Sequence, residues 1–391
     1  MITRRLLAAV AGERGFAIPV AIFVIVIVSL LALTGLYVAQ NNADANTGLR
    51  RSWKAFYAAN AGAARVLATW DKKTYRPLEP GGSHSSEWLD LPDGSQYQTA
   101  VLRVDNDVTG RSTLYRLRTT GRPGQGVSAQ RVINMMVRVK RADALCCDGA
   151  LKVQGNLRIQ GTGRGVKVSG ADSIPPTWAG QCSGPTSDVP GVLVQDDDDV
   201  RINGRPEIEG SPPLQEDGSI QDQDFTQFDD ISYDDLVAVA NKRYEGNRTF
   251  TNLSPVTSGA NCVEGAPTNW GDPLIPNAPC WDYLPIIHVS GDVHVSGNGY
   301  GQGILLIDGD LIVTGEFEFY GVVVVQGSAD FRGTTDIHGG ILVRNGINAD
   351  SQSFLRGGTT LQYSSCATAK ALTEALVARP LEGRHWFEVM E

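Results

Sequence analysis

The sequence has no GxSxG, HExxH, Walker or dinucleotide-binding signature, so the commonest hydrolase, zinc-protease and nucleotide-dependent chemistries lack their usual residues. Its six cysteines (Cys146, Cys147, Cys182, Cys262, Cys280, Cys366) form no CxxC pair and lie beside no histidine set at zinc spacing. They are too few to scaffold 391 residues by disulfides. Free buried thiols are the plain reading, and export of the bulk would favour one or more disulfides. Cys262 and Cys280, which close a Pro/Gly-rich loop, are then the pair to expect. The five histidines (His84, His288, His294, His338, His385) are scattered, and no metal site is expected from them. Long Lys/Arg runs are also absent, and a net charge of −9 with a pI near 5.2 opposes a nucleic-acid partner.

What is present begins at residue 16. FAIPVAIFVIVIVSLLALTGLYVA, residues 16–39, carries no charge. As a helix it would span roughly 35 Å, enough for a hydrocarbon layer of ~30 Å and too long for a signal-peptide core. Pro19 falls near the helix start, where a missing N–H costs little. Arg4, Arg5 and Arg14 precede the run, and Asn41, Asn42 and Asp44 come after it. This asymmetry keeps the short leader cytoplasmic and sends the C-terminal bulk outward. Beyond the run, Leu49, Trp53, Phe56, Asn60, Ala63 and Leu67 recur at spacings of three and four, so one helix is expected from about residue 16 to 70. Trp53, Phe56 and Tyr57 would pack either on the chain's own globular part or on neighbouring subunits.

The leader ending in Arg14-Gly15, the apolar helix starting at Phe16 and AFYAANAGAARVLA at 55–68 together resemble the N-terminal region of PilX-type minor pilins. That resemblance implies cleavage by a prepilin peptidase between Gly15 and Phe16, then methylation of the new N-terminus. It further implies packing with other pilin-like subunits and with inner-membrane assembly proteins. The place would be the bacterial inner membrane, crossed once with the C-terminal part outside the cytoplasm, and the pilus or cell surface after assembly. Major pilins carry a glutamate at the fifth mature position, thought to neutralise an adjacent subunit's amino terminus. Here that position is Val20, which moves the resemblance from a major subunit toward a minor one.

Residues 71–145 contain alternating runs at 97–106, 112–120 and 130–142 separated by turn residues, as in an antiparallel meander. Residues 171–285 read as a loop-rich insertion, with a short capped helix over 228–244. Its acidic runs, Asp196 to Asp199 and around Asp217, Asp222, Asp224, Asp229 and Asp230, invite a calcium reading. Neither has the spacing of a twelve-residue calcium loop. A solvated acidic loop is the plainer reading, and no cofactor is expected.

From Gly291 a glycine recurs every six residues through Gly297, Gly303, Gly309, Gly315, Gly321, Gly327, Gly333 and Gly339. The second and fourth positions after each glycine are apolar in nearly every strand-like block, for example Leu305 and Ile307, Phe317 and Phe319, and Val323 and Val325. A period-two strand points these inward, and the glycine permits a corner, so a parallel β-helix of six-residue sides is predicted. With three sides per coil, outward Leu306, Val324 and Leu342 stack on one face, which must be covered. The outer half of the N-terminal helix is the first candidate and a C-terminal helix over 368–378 the rival. Gly149, Gly155 and Gly161 repeat the period in 148–170, which is read as the first coil of the same helix.

The expected layout is a leader at 1–15, a transmembrane segment at 16–39 in a helix to about 70, and the meander at 71–145. Then come a first coil at 146–170, the insertion at 171–285, the main β-helix at 286–347, and a closing strand and helix at 348–391. LQYSSCA at 361–367 resembles the closing segment of PilX-like proteins. Glu316 and Glu318 lie outward on one strand and are the one pair that suggests glycan chemistry. Ordinary surface solvation explains them better, so no catalytic residues and no enzyme are expected. The sequence thus reads as a minor pilin-like subunit in assembly or tip presentation of a type IV pilus or related secretion filament. The alternative is a stationary membrane-anchored adhesion or glycan-binding protein.

Overall fold

The computed structural model describes residues 17–106, 112–125, 129–141, 147–161, 165–182, 184, 186–228, 231–344, 353–374, 376–381 and 386–389. The Gly15–Phe16 junction, Cys146 and His385 lie outside them. A single helix, α1, runs over Ala17–Ala68. A four-residue helix, α2, comes next over Lys72–Tyr75, with the Asp71 side chain accepting from the Lys73 and Thr74 amides. The chain is otherwise mainly β, in two bodies of strands.

The smaller body is the meander. Gln96–Asn106, Ser112–Arg122 and Arg131–Arg141 pair antiparallel in sequence order, with Ser83–Ser85 and Leu89–Asp90 on the first of them. Val101, Tyr115, Leu117, Met135, Val137 and Val139 alternate onto the face that meets Ala63 of α1, the outcome of period-two patterning on a half-buried sheet. Two strands come from the C-terminus. Leu376–Pro380 and Trp386–Val389 both pair with Arg131–Arg141. The helix expected over 368–378 therefore stops early: the C-terminal helix occupies Ser365–Glu374, and the open edge of the meander draws residues 376–380 into a strand.

The larger body is a parallel β-helix of three sides. Gly303 stands beside Gly321 and Gly321 beside Gly339, a step of eighteen residues per coil. Leu305, Ile307, Val323, Val325, Ile341 and Val343 are fully or almost fully buried in one continuous core, as the six-residue pattern requires. Each such side chain is stabilised by about 1.5–3 kcal/mol over leaving it exposed. The glycines serve the corners in two ways. At Gly321 and Gly339 the backbone has φ of +135° and +146°, where a side chain is strained. At Gly315 and Gly333 a Cβ would lie 2.0 Å from the carbonyl oxygen of the glycine one coil before.

The order of coils in space differs from their order in the chain. Residues 148–170 do not open the stack: Leu151 pairs with Ile341 and Leu157 with Ser353, so they continue it beyond its last C-terminal coil. The segment read as an insertion supplies two further layers. Val192–Val194, Val200–Gly204, Glu207–Glu209 and Leu214–Glu216 extend the same end. Lys242–Tyr244 and Arg248–Leu253 begin the opposite end, against Ile286–Val289 and Val293–Ile307. The helix expected over 228–244 is shortened accordingly. It forms α3, Tyr233–Ala238, capped by Ser232 and Asp235, and its remainder becomes a coil strand. The C-terminal helix, Ser365–Glu374, is α4.

Candidate functional site: the projecting helix and the outer faces of the β-helix

Two features are chemically distinctive, the free half of α1 and the outward surfaces of the β-helix. Residues 18–51 of α1 are exposed, a length of about 50 Å. Its apolar half is long and apolar enough to cross a membrane, and it is the only described helix that is. Val20 lies in this bare part, 47% exposed.

Further along, α1 settles on the meander by small residues. Ala55, Ala58, Ala59 and Ala63 are 0–1% exposed. The approach is so close that a Cβ on Gly121 would stand 2.1 Å from the Ala55 carbonyl oxygen, and one on Gly62 would stand 2.4 Å from the Tyr97 ring. Lys54 Nζ donates to the Asp93 carbonyl at 2.8 Å, and Arg131 Nε donates to Ser52 Oγ at 2.7 Å, holding both margins. The packing face is therefore not the aromatic stripe. Trp53 and Tyr57 point away, 57% and 63% exposed, and their rings stack with centroids 6.1 Å apart. Phe56 is half-buried and meets both rings edge-on. Large rings under the helix would have held it off the sheet, whereas alanine and glycine let the backbones approach.

The apolar outer face of the β-helix is covered, and by the rival candidate. Ile304, Leu306, Val322, Val324 and Leu342 form one cluster with Cys366, Ala367, Ala371 and Leu372 of α4. The same cluster takes in Trp178, Ile220, Phe225, Phe228, Leu236 and Trp281 from 171–285. A disulfide between Cys182 and Cys366, Cα atoms 5.8 Å apart, ties that segment to α4. Lys370 of α4 places its ammonium 4.8 Å and 4.6 Å from the ring centroids of Trp178 and Trp281. The outer half of α1 takes no part. Sequence reasoning missed this lid, although Trp178 and Trp281 in a segment read as loop-rich were a signal of buried surface. Cys262 and Cys280 are joined, with Cα atoms 4.9 Å apart, and no described cysteine is free.

On another face, Asn298, Tyr300, Glu316, Glu318, Thr334 and Asp336 line an open cleft of about 300 Å³. Tyr300, Glu318 and Asp336 are in register on successive coils. The Tyr320 hydroxyl donates to Glu318 at 2.5 Å, and its ring stacks on His338 with centroids 4.7 Å apart. Burial pushes the Tyr320 phenol up and draws the His338 imidazole down, the latter against the opposing pull of Glu318 and Asp336. The cleft joins carboxylates to a phenol edge, a chemistry suited to hydroxyl-rich or cationic ligands.

His288 and His294 are engaged in structure. His288 Nε2 lies 3.1 Å from both Asp308 oxygens, and the Tyr233 hydroxyl donates to Asp308 at 2.8 Å, fastening α3 to the β-helix. His294 meets Thr314 at 2.9 Å. The acidic segment is used in turns and pairs: Asp196 accepts from the Asp198 amide, Asp217 from Ser219, and Asp222 pairs with Arg344. Among the described residues no group of three or more His, Cys, Asp or Glu side chains is placed to hold a metal ion.

No protein-family model and no curated protein matches the chain. Among solved structures it is similar to the competence-associated pilin ComZ from Thermus thermophilus, at 11% identity and a TM-score of 0.25, covering 88% of this chain and 98% of that one.

Proposed function

We propose that this protein is a membrane-stored, non-enzymatic minor pilin-like subunit that enters a type IV pilus or related secretion filament, or stands at its tip. One observation carries the reading: a single helix that packs its last turns on the meander through Ala55, Ala58, Ala59 and Ala63, while residues 18–39 are bare, uncharged and apolar. A helix of that kind is stored in lipid and then exchanges lipid for the helices of neighbouring subunits. The exposed Trp53–Tyr57 stack lies just beyond the bare segment and supplies aromatic contact area on the side turned from the chain's own sheet. Val20, standing where a charge-neutralising glutamate would be, fits a subunit added rarely instead of repeated along a filament. In this reading the prepilin peptidase and inner-membrane assembly proteins are the processing and loading partners.

Shearing cells and fractionating filaments from membranes tests the proposal. The protein should appear in the sheared fraction at low stoichiometry, and its complete retention in the membrane would overturn assembly. The cleft beside Tyr300, Glu318 and Asp336 favours the second reading, a stationary anchored protein that binds glycans. That reading expects membrane retention together with saturable binding of a neutral oligosaccharide, lost in Tyr300→Ala.

A further inference from the structure

The two ends of the β-helix are finished differently. At the end formed by 242–253, the inward positions above Ile287 and Val289 are occupied by Lys242 and Tyr244. Lys242 Nζ donates to the carbonyls of Glu264 and Ala266, each at 2.7 Å, and the Tyr244 hydroxyl donates to that of Pro267. Trp270, fully buried, lies over Gly301, where a Cβ would stand 2.8 Å from the tryptophan's own. The loop that brings these groups is closed by the Cys262–Cys280 disulfide. This end has a lid.

The opposite end has none among the described residues. Val200–Gly204 pairs only with Leu157–Gly161, Glu207–Glu209 only with Lys167–Ser169, and Leu214–Glu216 only with Val192–Val194. Among the described residues no further strand lies on the outer edge of any of the three, the arrangement that accepts an added strand. The apolar ladder also continues to the rim. Val200, Ile202, Ile208 and Leu214 stand over Leu157, Ile159, Val168 and Val192, yet Ile202 is 47% exposed while Ile159 below it is 0%. Solenoids ordinarily close such an end with a polar cap.

Charge decides the occupant. Residues 196–217 contain eight carboxylates against two arginines. Lys167 pairs with Glu207 and Glu209, at 2.7 and 3.0 Å, and Asp196, Asp197 and Asp198 remain exposed. A second copy presenting the same end brings the same negative charge, and its other end is covered. We infer that the open end is a docking site for an extended, basic segment of a different protein, which adds a strand to the last coil and covers Ile202. The inference does not depend on cleavage or assembly of the anchor.

Full-length protein in detergent is titrated with the fluorescent peptide KVKIKVK and with EVEIEVE as control, and hydrogen–deuterium exchange is monitored at 200–204 and 207–209. The basic peptide should bind and slow exchange there, with affinity falling as salt rises and weakening roughly tenfold in Ile202→Lys and in Asp197→Lys/Asp198→Lys. The aspartate variant lies on exposed positions and reports on charge even if the Ile202 variant loses stability. Equal binding of EVEIEVE, binding without protection of these strands, or protection that rises with protein concentration in the absence of peptide would overturn the inference.

Discussion

Trp53 and Tyr57 separate what holds this molecule together from what it offers to others. Both are more than half exposed beside a row of buried alanines. Trp53→Ala/Tyr57→Ala should leave the free energy of unfolding nearly unchanged, within about 0.5 kcal/mol, while removing the protein from the sheared-filament fraction. Ala59→Leu should do the reverse in solution, costing about 1–3 kcal/mol by pushing α1 off the meander. A helical stripe of aromatics was legible in the sequence, but the packing face was not. Hydrophobicity marks Trp and Phe as core, whereas close helix-to-sheet contact selects for size, and Ala55, Ala59 and Gly62 carry little hydrophobic signal. His338 offers a pH test at the same scale. Its imidazole is held below the ordinary value of 6.5, chiefly by burial, so the unfolded chain takes up a proton more readily than the folded one. Its contribution to stability is full above that value and is lost as pH falls below it. Thermal melts from about pH 7.5 to about pH 5 should show this loss, and His338→Gln should flatten it. Equal slopes would contradict the assignment.

Among the elements, α4 carries the most consequence for its length. It covers the outward Leu306, Val324 and Leu342, and its attachment to residues 171–285 by Cys182–Cys366 closes a loop of 184 residues. Cys182→Ser/Cys366→Ser should cost about 2–5 kcal/mol in denaturant titration. Exchange at 365–374 should rise while the inner ladder around Val323 stays protected, and uniform loosening of both would refute a local fastening role. The inner ladder was readable because its glycines and apolar residues repeat within a few positions. The lid was not, since no local pattern links Cys182 with Cys366 or Trp178 with Lys370. The fate of 376–380 was equally hidden, because a short apolar segment becomes strand or helix according to the open sheet edge it meets.

At the scale of the whole molecule, chain order and spatial order part company. The coil at 151–169 lies after the one at 358–363, and parallel stacking makes this permissible because register depends on which edge is free, not on which strand was synthesised first. Periodicity therefore foretold the β-helix and its eighteen-residue coil but carried no information on the permutation. Nor could it show that one end is lidded and the other bare. The projecting helix, by contrast, was legible from an uncharged run that leads into helical spacing, and it is the part on which the proposed role depends. The most direct test is the N-terminal sequence and intact mass of the mature protein purified from its native membrane. The account predicts a chain beginning at Phe16 with a methylated amine. An intact leader, or a start beyond the apolar run, would contradict it.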